Sequence, residues 1–180
     1  MAFPTPDVDR LLSQSHERLP LSQSALRPSP DVCAIRSHDP SALFPEARDS
    51  QAALAGLLLR LGCWAESHTV AQDINSPQGS YWHGIIHRME PDSFNAAYWF
   101  RRVGRHAIFP ELLGRAQQIL KSGGPEGWRL KTSWDPFLFI EWCDEARVRG
   151  GAEETAAIEI QMLEWQLLFA WCVGSDAQHS

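Results

Sequence analysis

Two histidines and a glutamate in the middle of the chain have the spacing of metal ligands on a helix. His83, His87 and Glu90 stand at positions i, i+4 and i+7, so a helix would project all three from one face. Imidazoles one turn apart can share a metal ion. With a carboxylate they form a set that suits a divalent ion such as Zn, Mn or Fe with open coordination positions. We predict that these three residues bind a metal ion and act as catalytic acid–base groups.

A structural role for the same histidines stays open. The chain has no H-E-x-x-H sequence, and Glu90 falls in the last turn of its predicted helix. A histidine on a half-apolar helix face is more often a hydrogen-bonded structural residue than a metal ligand. The two interpretations differ in whether the imidazoles converge on one point.

A second polar row lies on the preceding predicted helix, where Trp64, His68 and Gln72 are spaced four residues apart. If these two helices pair, His68 and Gln72 face the two histidines of the next helix. We therefore predict a polar pocket with tryptophan walls. Its predicted ligand-binding residues are His68, Gln72, Arg88, Asn95, Tyr98, Arg102 and His106.

The segment 82–106 also contains four arginines: Arg88, Arg101, Arg102 and Arg105. A guanidinium group matches carboxylate or phosphate oxygens in pairs, which favours a small anionic ligand. The alternative is that these arginines form a solvated face or pair with nearby acids and the acids of the last helices. The chain has no glycine-rich phosphate loop, no dinucleotide fingerprint and no G-x-S-x-G elbow, so a nucleotide site and a hydrolase triad lack support.

Composition excludes some classes of partner. The 180 residues include 22 Asp and Glu against 16 Lys and Arg, a net charge of −6, which argues against nucleic-acid binding. No apolar run is long enough for a membrane-spanning helix, and the first residues lack the apolar core of a secretory signal. The four cysteines are widely spaced, with no C-x-x-C pair. They predict buried free thiols and a cytoplasmic location.

The chain divides by composition near residue 48. Residues 1–47 hold seven of the twelve prolines and no glycine or tryptophan, which predicts a Pro-rich, partly ordered arm with one short helix over 7–17. A flexible tail is the alternative to an arm packed on the domain. The residues that would hold a packed arm are Val32, Ile35, Leu43 and Phe44.

Residues 48–180 are predicted to form an all-α domain, because no segment shows sustained strand alternation. Asp49 or Ser50, Asp92 or Ser93, and Asp135 are candidate N-caps. Short connections predict antiparallel helical hairpins, arranged as an irregular bundle or as a stack like tetratricopeptide or Sel1 repeats. The predicted helices are 51–62, 64–75, 78–90, 94–103, 110–121, 136–147 and 152–173.

The last helix carries a continuous apolar stripe: Ile158, Met162, Trp165, Phe169 and Cys172. This pattern is typical of a central core helix. The alternative is a homodimer interface formed by this Trp-rich helix, since tryptophan is enriched at interfaces.

Residues 82–106 read W-H-x-x-x-H-R-x-E-P-D-x-x-N-x-x-Y-W-F-R-R-V-G-x-H. This string resembles a signature of uncharacterised bacterial and fungal helical proteins. Ser67-His68, Gln72 and the Trp134–Phe137 stretch resemble further parts of it, so the resemblance covers roughly residues 50–145. It implies a shared helical domain with a His- and Arg-rich hairpin, and it implies no activity.

Two functional hypotheses follow from the sequence. In the first, the His/Arg/Glu pocket binds a small anionic metabolite and performs acid–base chemistry, assisted by a divalent metal. In the second, the domain is a non-catalytic helical module that binds a protein partner through its Arg and Trp surface. Convergence of the histidine side chains would favour the first hypothesis.

Overall fold

The computed structural model describes residues 5–13, 15, 18–28 and 30–174. Within these ranges the chain forms ten α-helices and no β-strand, which confirms the all-α prediction. The helices are α1 (Pro6–Ser13), α2 (Pro30–Cys33), α3 (Pro40–Leu43), α4 (Ser50–Arg60), α5 (Trp64–Gln72), α6 (Pro77–Met89), α7 (Ser93–Val103), α8 (Phe109–Gly123), α9 (Pro136–Arg149) and α10 (Gly151–Val173). The short arm helix was predicted over 7–17; α1 ends at Ser13, and residues 14, 16 and 17 lie outside the described ranges.

Side-chain caps start several of the helices in the bundle. Asp49 Oδ1 accepts the backbone N–H of Ala52 at 2.9 Å, and Asp92 Oδ1 accepts that of Asn95 at 3.1 Å. Gly104 ends α7 with a φ of 65°, a left-handed conformation that glycine adopts without strain. These local signals explain why the predicted helices of residues 48–180 are all present, although α5 ends at Gln72 rather than at residue 75.

Helix α6 lies at the centre of the bundle. All of its residues from Gln78 to Met89 are buried, and it packs against α4, α5 and α7. Two glycines allow close approach of its neighbours. A Cβ atom at Gly56 of α4 would lie 2.5 Å from Trp82, and one at Gly84 would lie 2.9 Å from Phe100 of α7. Replacing Gly56 or Gly84 by any larger residue would therefore force the neighbouring helices apart.

The C-terminal helix α10 packs against α4, α8 and α9. Trp165 is buried and donates from Nε1 to the carbonyl oxygen of Gly56 at 2.8 Å. Leu168, Phe169 and Cys172 are also buried, whereas Ile158 and Met162 are half-buried. These contacts show a core helix, and the homodimer stays a prediction. None of the helices in the described ranges has the length and apolar content needed to cross a membrane.

The described part of the arm packs on the helical bundle. Of its four predicted anchors, Ile35, Leu43 and Phe44 are buried and Val32 is partly buried. The Phe44 ring contacts Phe169 of α10 edge-on, with centroids 5.9 Å apart. The arm backbone is also held by a side chain of α10, since Gln161 Nε2 donates to the carbonyl oxygen of Pro20 at 2.8 Å.

The prediction of four free thiols is wrong for two of them. Cys33 and Cys63 form a disulfide, because the arm brings α2 against the start of α5 and places the two Cα atoms 5.5 Å apart. Cys143 and Cys172 are free and buried, as expected. Burial raises the pKa of the Cys143 thiol to about 11 and also raises the pKa of Cys172, so both remain protonated at neutral pH.

An ion pair at the contact between α6 and α10 is fully buried. Arg88 Nη2 donates to Glu164 Oε2 at 2.5 Å, and neither side chain has any exposed area. Tyr81 Oη donates to the other carboxylate oxygen at 3.0 Å, and Gln161 Oε1 accepts from Arg88 at 3.2 Å. The Arg88 guanidinium also packs on an aromatic ring, since its Cζ atom lies 4.5 Å from the centroid of the Phe139 ring. Burial and the Glu164 charge raise the pKa of Tyr81 well above its usual value.

Removal of the Glu164 carboxylate tests the importance of this pair. We expect Glu164→Ala to lower the free energy of unfolding by about 3–5 kcal/mol, because Arg88 would remain buried without a counter-charge. Glu159→Ala, an exposed position on the same helix, is the matched control. Urea denaturation measures both. Equal losses in the two variants would contradict this account.

The disulfide makes a separate prediction about thiol chemistry. Unfolded, unreduced protein should be alkylated at two cysteines, and reduced protein at four, as measured by intact mass. The paired Cys33→Ser, Cys63→Ser variant should lose about 3–4 kcal/mol of stability, because the disulfide closes a loop of 30 residues. Alkylation of all four cysteines without reductant would refute the bond.

Candidate functional site

Three imidazoles from α5 and α6 converge beneath the surface. His68 Nε2 lies 3.0 Å from His83 Nε2, and the His87 ring centroid lies 4.8 Å from that of His83 and 5.2 Å from that of His68. One potential ligand atom of each histidine lies within 4.8 Å of the other two. The short connection between the helices folds α5 back onto α6, so that His68 faces the two histidines one turn apart on α6.

Two tryptophans flank this three-histidine cluster. The Trp64 indole stacks on His68, one turn further along α5, with centroids 5.4 Å apart. The Trp99 indole of α7 stacks on His83 at 3.9 Å, and the Arg102 guanidinium lies 5.2 Å from the Trp99 centroid. Imidazole, indole and guanidinium therefore form one continuous stack from the buried cluster to the surface, where Arg102 is exposed.

Glu90 lies beside the cluster, where it contacts His87. Its Oε2 atom is 3.0 Å from Nδ1 of His87, which leaves Nε2 of His87 available for a ligand. The sequence predicted His83, His87 and Glu90 as the metal-binding set. In the structure the imidazole that converges with those of His83 and His87 is that of His68, and the Glu90 carboxylate lies beside His87 Nδ1. Metal binding by His83, His87 and Glu90 stays a prediction.

Burial and the neighbouring imidazoles keep His68 and His83 uncharged. Burial, followed by the neighbouring His68 and His87, lowers the pKa of His83 to about 3. The pKa of His68 is also lowered, by burial and then by His87, although Glu90 opposes this shift. Both imidazoles are therefore neutral at pH 7, the form that has a lone pair for a metal ion. His83 Nδ1 is buried and has no hydrogen-bond partner within the described residues.

The Asp92 carboxylate, which lies next to the histidine cluster, already accepts hydrogen bonds from Asn95. His87, Glu90 and Asp92 also offer atoms within 4.8 Å of one another. However, Asp92 caps α7, and its Oδ2 atom accepts a hydrogen bond from Asn95 Nδ2 at 2.6 Å. Backbone and side-chain hydrogen bonds from Asn95 lower the pKa of Asp92. Asp92 therefore serves as the cap of α7 at the edge of the histidine cluster, and Asn95 is its partner in that cap.

The remaining predicted ligand-binding residues do not all meet at the cluster. Gln72 is exposed at the end of α5, and Tyr98 is exposed with its ring edge-on to Trp99. Arg88 is completely buried in the pair with Glu164, as the alternative of pairing with an acid of the last helices proposed. His106 lies near the other end of α6, where its Nε2 atom is 3.3 Å from Gln78 Nε2. The structure thus assembles His68, His83, His87 and Glu90, with Arg102 connected through Trp99.

Trp99 is a residue of the candidate site that is absent from the predicted set. The sequence predicts a pocket with tryptophan walls, but it does not identify Trp99 as one of them. Its spacing of three residues from Arg102 is the signal that could have indicated a shared helix face. Its stacking on His83 depends on how α7 packs on α6, which the sequence does not show.

Comparisons with known proteins add no name to this site. No family model, no curated protein and no solved structure matches the chain. The resemblance to bacterial and fungal helical proteins stays a prediction.

The buried His106 predicts a specific pH dependence. Burial lowers its pKa to about 4, below the value near 6.5 in an unfolded chain. As the pH falls from 7 to 5 the unfolded state takes up a proton that the folded state does not, so stability is lost over this window. Between pH 7 and pH 5, the free energy of unfolding of His106→Gln should fall by about 2 kcal/mol less than that of the unsubstituted protein. Urea denaturation at the two pH values measures this difference. Identical pH dependence in the two proteins would exclude this role.

Proposed function

We propose that His68, His83 and His87 bind one divalent transition-metal ion, and that this centre carries out acid–base chemistry on a small anionic molecule. The observation that carries the proposal is the convergence of three ligand atoms within 4.8 Å at a largely buried point. A hydrogen bond between the Nε2 atoms of His68 and His83 accounts for the contact of these two imidazoles. It does not include His87, whose ring nevertheless lies beside both of them.

The donor set supports this proposal. Three protein ligands with an open fourth position are typical of catalytic zinc sites, and imidazole also suits iron and other divalent transition metals. In a tetrahedral site with metal–nitrogen distances near 2.0–2.1 Å, the nitrogens lie about 3.3 Å apart. The His68–His83 separation of 3.0 Å is close to that value, and a small side-chain movement would bring His87 to it.

The surrounding residues support a catalytic use of the ion. A metal-bound water can act as a nucleophile near neutral pH. Glu90 is exposed enough to exchange protons with solvent, and its contact with His87 couples it to the centre. Arg102 supplies an exposed positive charge at the outer end of the stack, which would attract an anionic substrate.

The cellular compartment is a further part of the proposal. The cytoplasmic location expected from the sequence assumed four free thiols. The Cys33–Cys63 disulfide favours an oxidising compartment instead, because disulfides persist mainly outside the reducing cytoplasm.

One observation favours the second hypothesis, a protein-binding module. Phe94 and Tyr98 are one turn apart on α7, with exposed fractions of 79% and 45%. Exposed aromatic side chains on one helix face are typical of interaction surfaces. This face lies next to the stack of Trp99 and Arg102, so it is also compatible with a partner that approaches the metal site.

Metal analysis of protein made without a histidine tag tests the proposal. After equilibrium dialysis against Zn or Co, mass spectrometry should find one ion per chain, and the Co form should show visible absorption bands. His68→Ala and His87→Ala should each abolish this binding, whereas His38→Ala, an exposed histidine of the arm, should not. Circular dichroism checks that each variant is folded.

The role of Glu90 provides a sharper test within the same experiment. Glu90→Gln should still bind one ion per chain but with about 10- to 100-fold weaker affinity, because it orients His87 without ligating the metal. Absence of bound metal in the unsubstituted protein would refute the proposal and leave the protein-binding hypothesis. Equal loss in His38→Ala would show nonspecific binding and would also refute it.

A further inference from the structure

A cleft separate from the histidine cluster lies between the α7–α8 corner and the segment 131–137 that leads into α9. Its volume is about 900 Å³, within the range of small-molecule sites. It is bordered by the end of α7 and the start of α8 on one side and by the start of α9 on the other. None of its lining residues belongs to the three-histidine cluster, and of the predicted site residues it contains only His106.

Positive charge is concentrated at one rim of this cleft. Arg101, in the last turn of α7, and Arg105, two residues after its end, are exposed and line the cleft. Within the described residues neither guanidinium has an ion-pair or hydrogen-bond partner. Lys131 also lines the cleft, but its Nζ atom is held by Asp135 Oδ2 at 2.7 Å. The two arginines are therefore available to an anion.

The walls of the cleft are mainly aromatic and apolar. Phe109, Trp134 and Phe137 contribute aromatic rings, and Phe137 is 39% exposed. The Nε1 atom of Trp134 is buried and has no hydrogen-bond partner within the described residues, and such an unpaired donor costs stability. His106 also lines the cleft and is neutral near pH 7, so it adds no charge there.

We infer that this cleft binds a small aromatic carboxylate. The two free guanidinium groups suit the carboxylate, and the three rings suit a flat apolar body. The site is independent of the proposed metal centre because the two share no residue.

Calorimetric titration with 1-naphthylacetate tests this inference. The acid should bind with 1:1 stoichiometry, and the uncharged analogue 2-(1-naphthyl)ethanol should bind at least tenfold more weakly. The double variant Arg101→Gln, Arg105→Gln should weaken binding of the acid at least tenfold. Arg115→Gln, an exposed arginine of α8 outside the cleft, should leave the affinity unchanged. Phe137→Ala should weaken both probes, because it removes part of the apolar wall.

Three outcomes would overturn the inference. The first is absence of binding, and the second is equal affinity for the acid and the alcohol. The third is binding that disappears with Arg102→Gln or with a metal chelator while the Arg101, Arg105 variant is unaffected, which would locate the probe at the histidine cluster. Binding that persists with the chelator and depends on Arg101 and Arg105 supports the cleft even if the metal proposal fails.

Discussion

Arg88 and Glu164 are an ionised pair with no access to water, and this constraint sets the rotation of α6. Each charge is tolerated in the core only because the other is in contact with it, so α6 must turn Arg88 toward α10. His83 precedes Arg88 by five residues, which places the two side chains about 140° apart around the helix. The orientation that buries Arg88 against α10 therefore directs the histidines toward α5.

Local chemistry explains which features could be predicted from the sequence. The helix starts at Asp49, Asp92 and Asp135 depend on side chains bonding to backbone groups two or three residues away. The pairing of His83 with His87 depends only on helical periodicity. His68 was expected to face them because the connection between the two helices is too short for any other arrangement of neighbours.

Features that depend on distant partners could not be predicted in the same way. Arg88 finds its counter-charge 76 residues later in the chain, and nothing in its own segment distinguishes it from the exposed Arg102. The stacking of Trp99 on His83 likewise joins two helices, and no spacing within α6 indicates it. The cleft near Trp134 arises from two segments about thirty residues apart, so neither segment alone indicates it.

The Cys33–Cys63 bond also closes a covalent ring that contains the last part of the arm and all of α4. A protease that cuts the backbone inside this ring opens it but does not divide the molecule, since the sulfur link still joins both pieces. Residues 36–39 are an exposed stretch of the ring and the natural place for such a cut. A molecule nicked there gains one water in mass and keeps the part of the arm before the cut attached to the helices that carry the histidines.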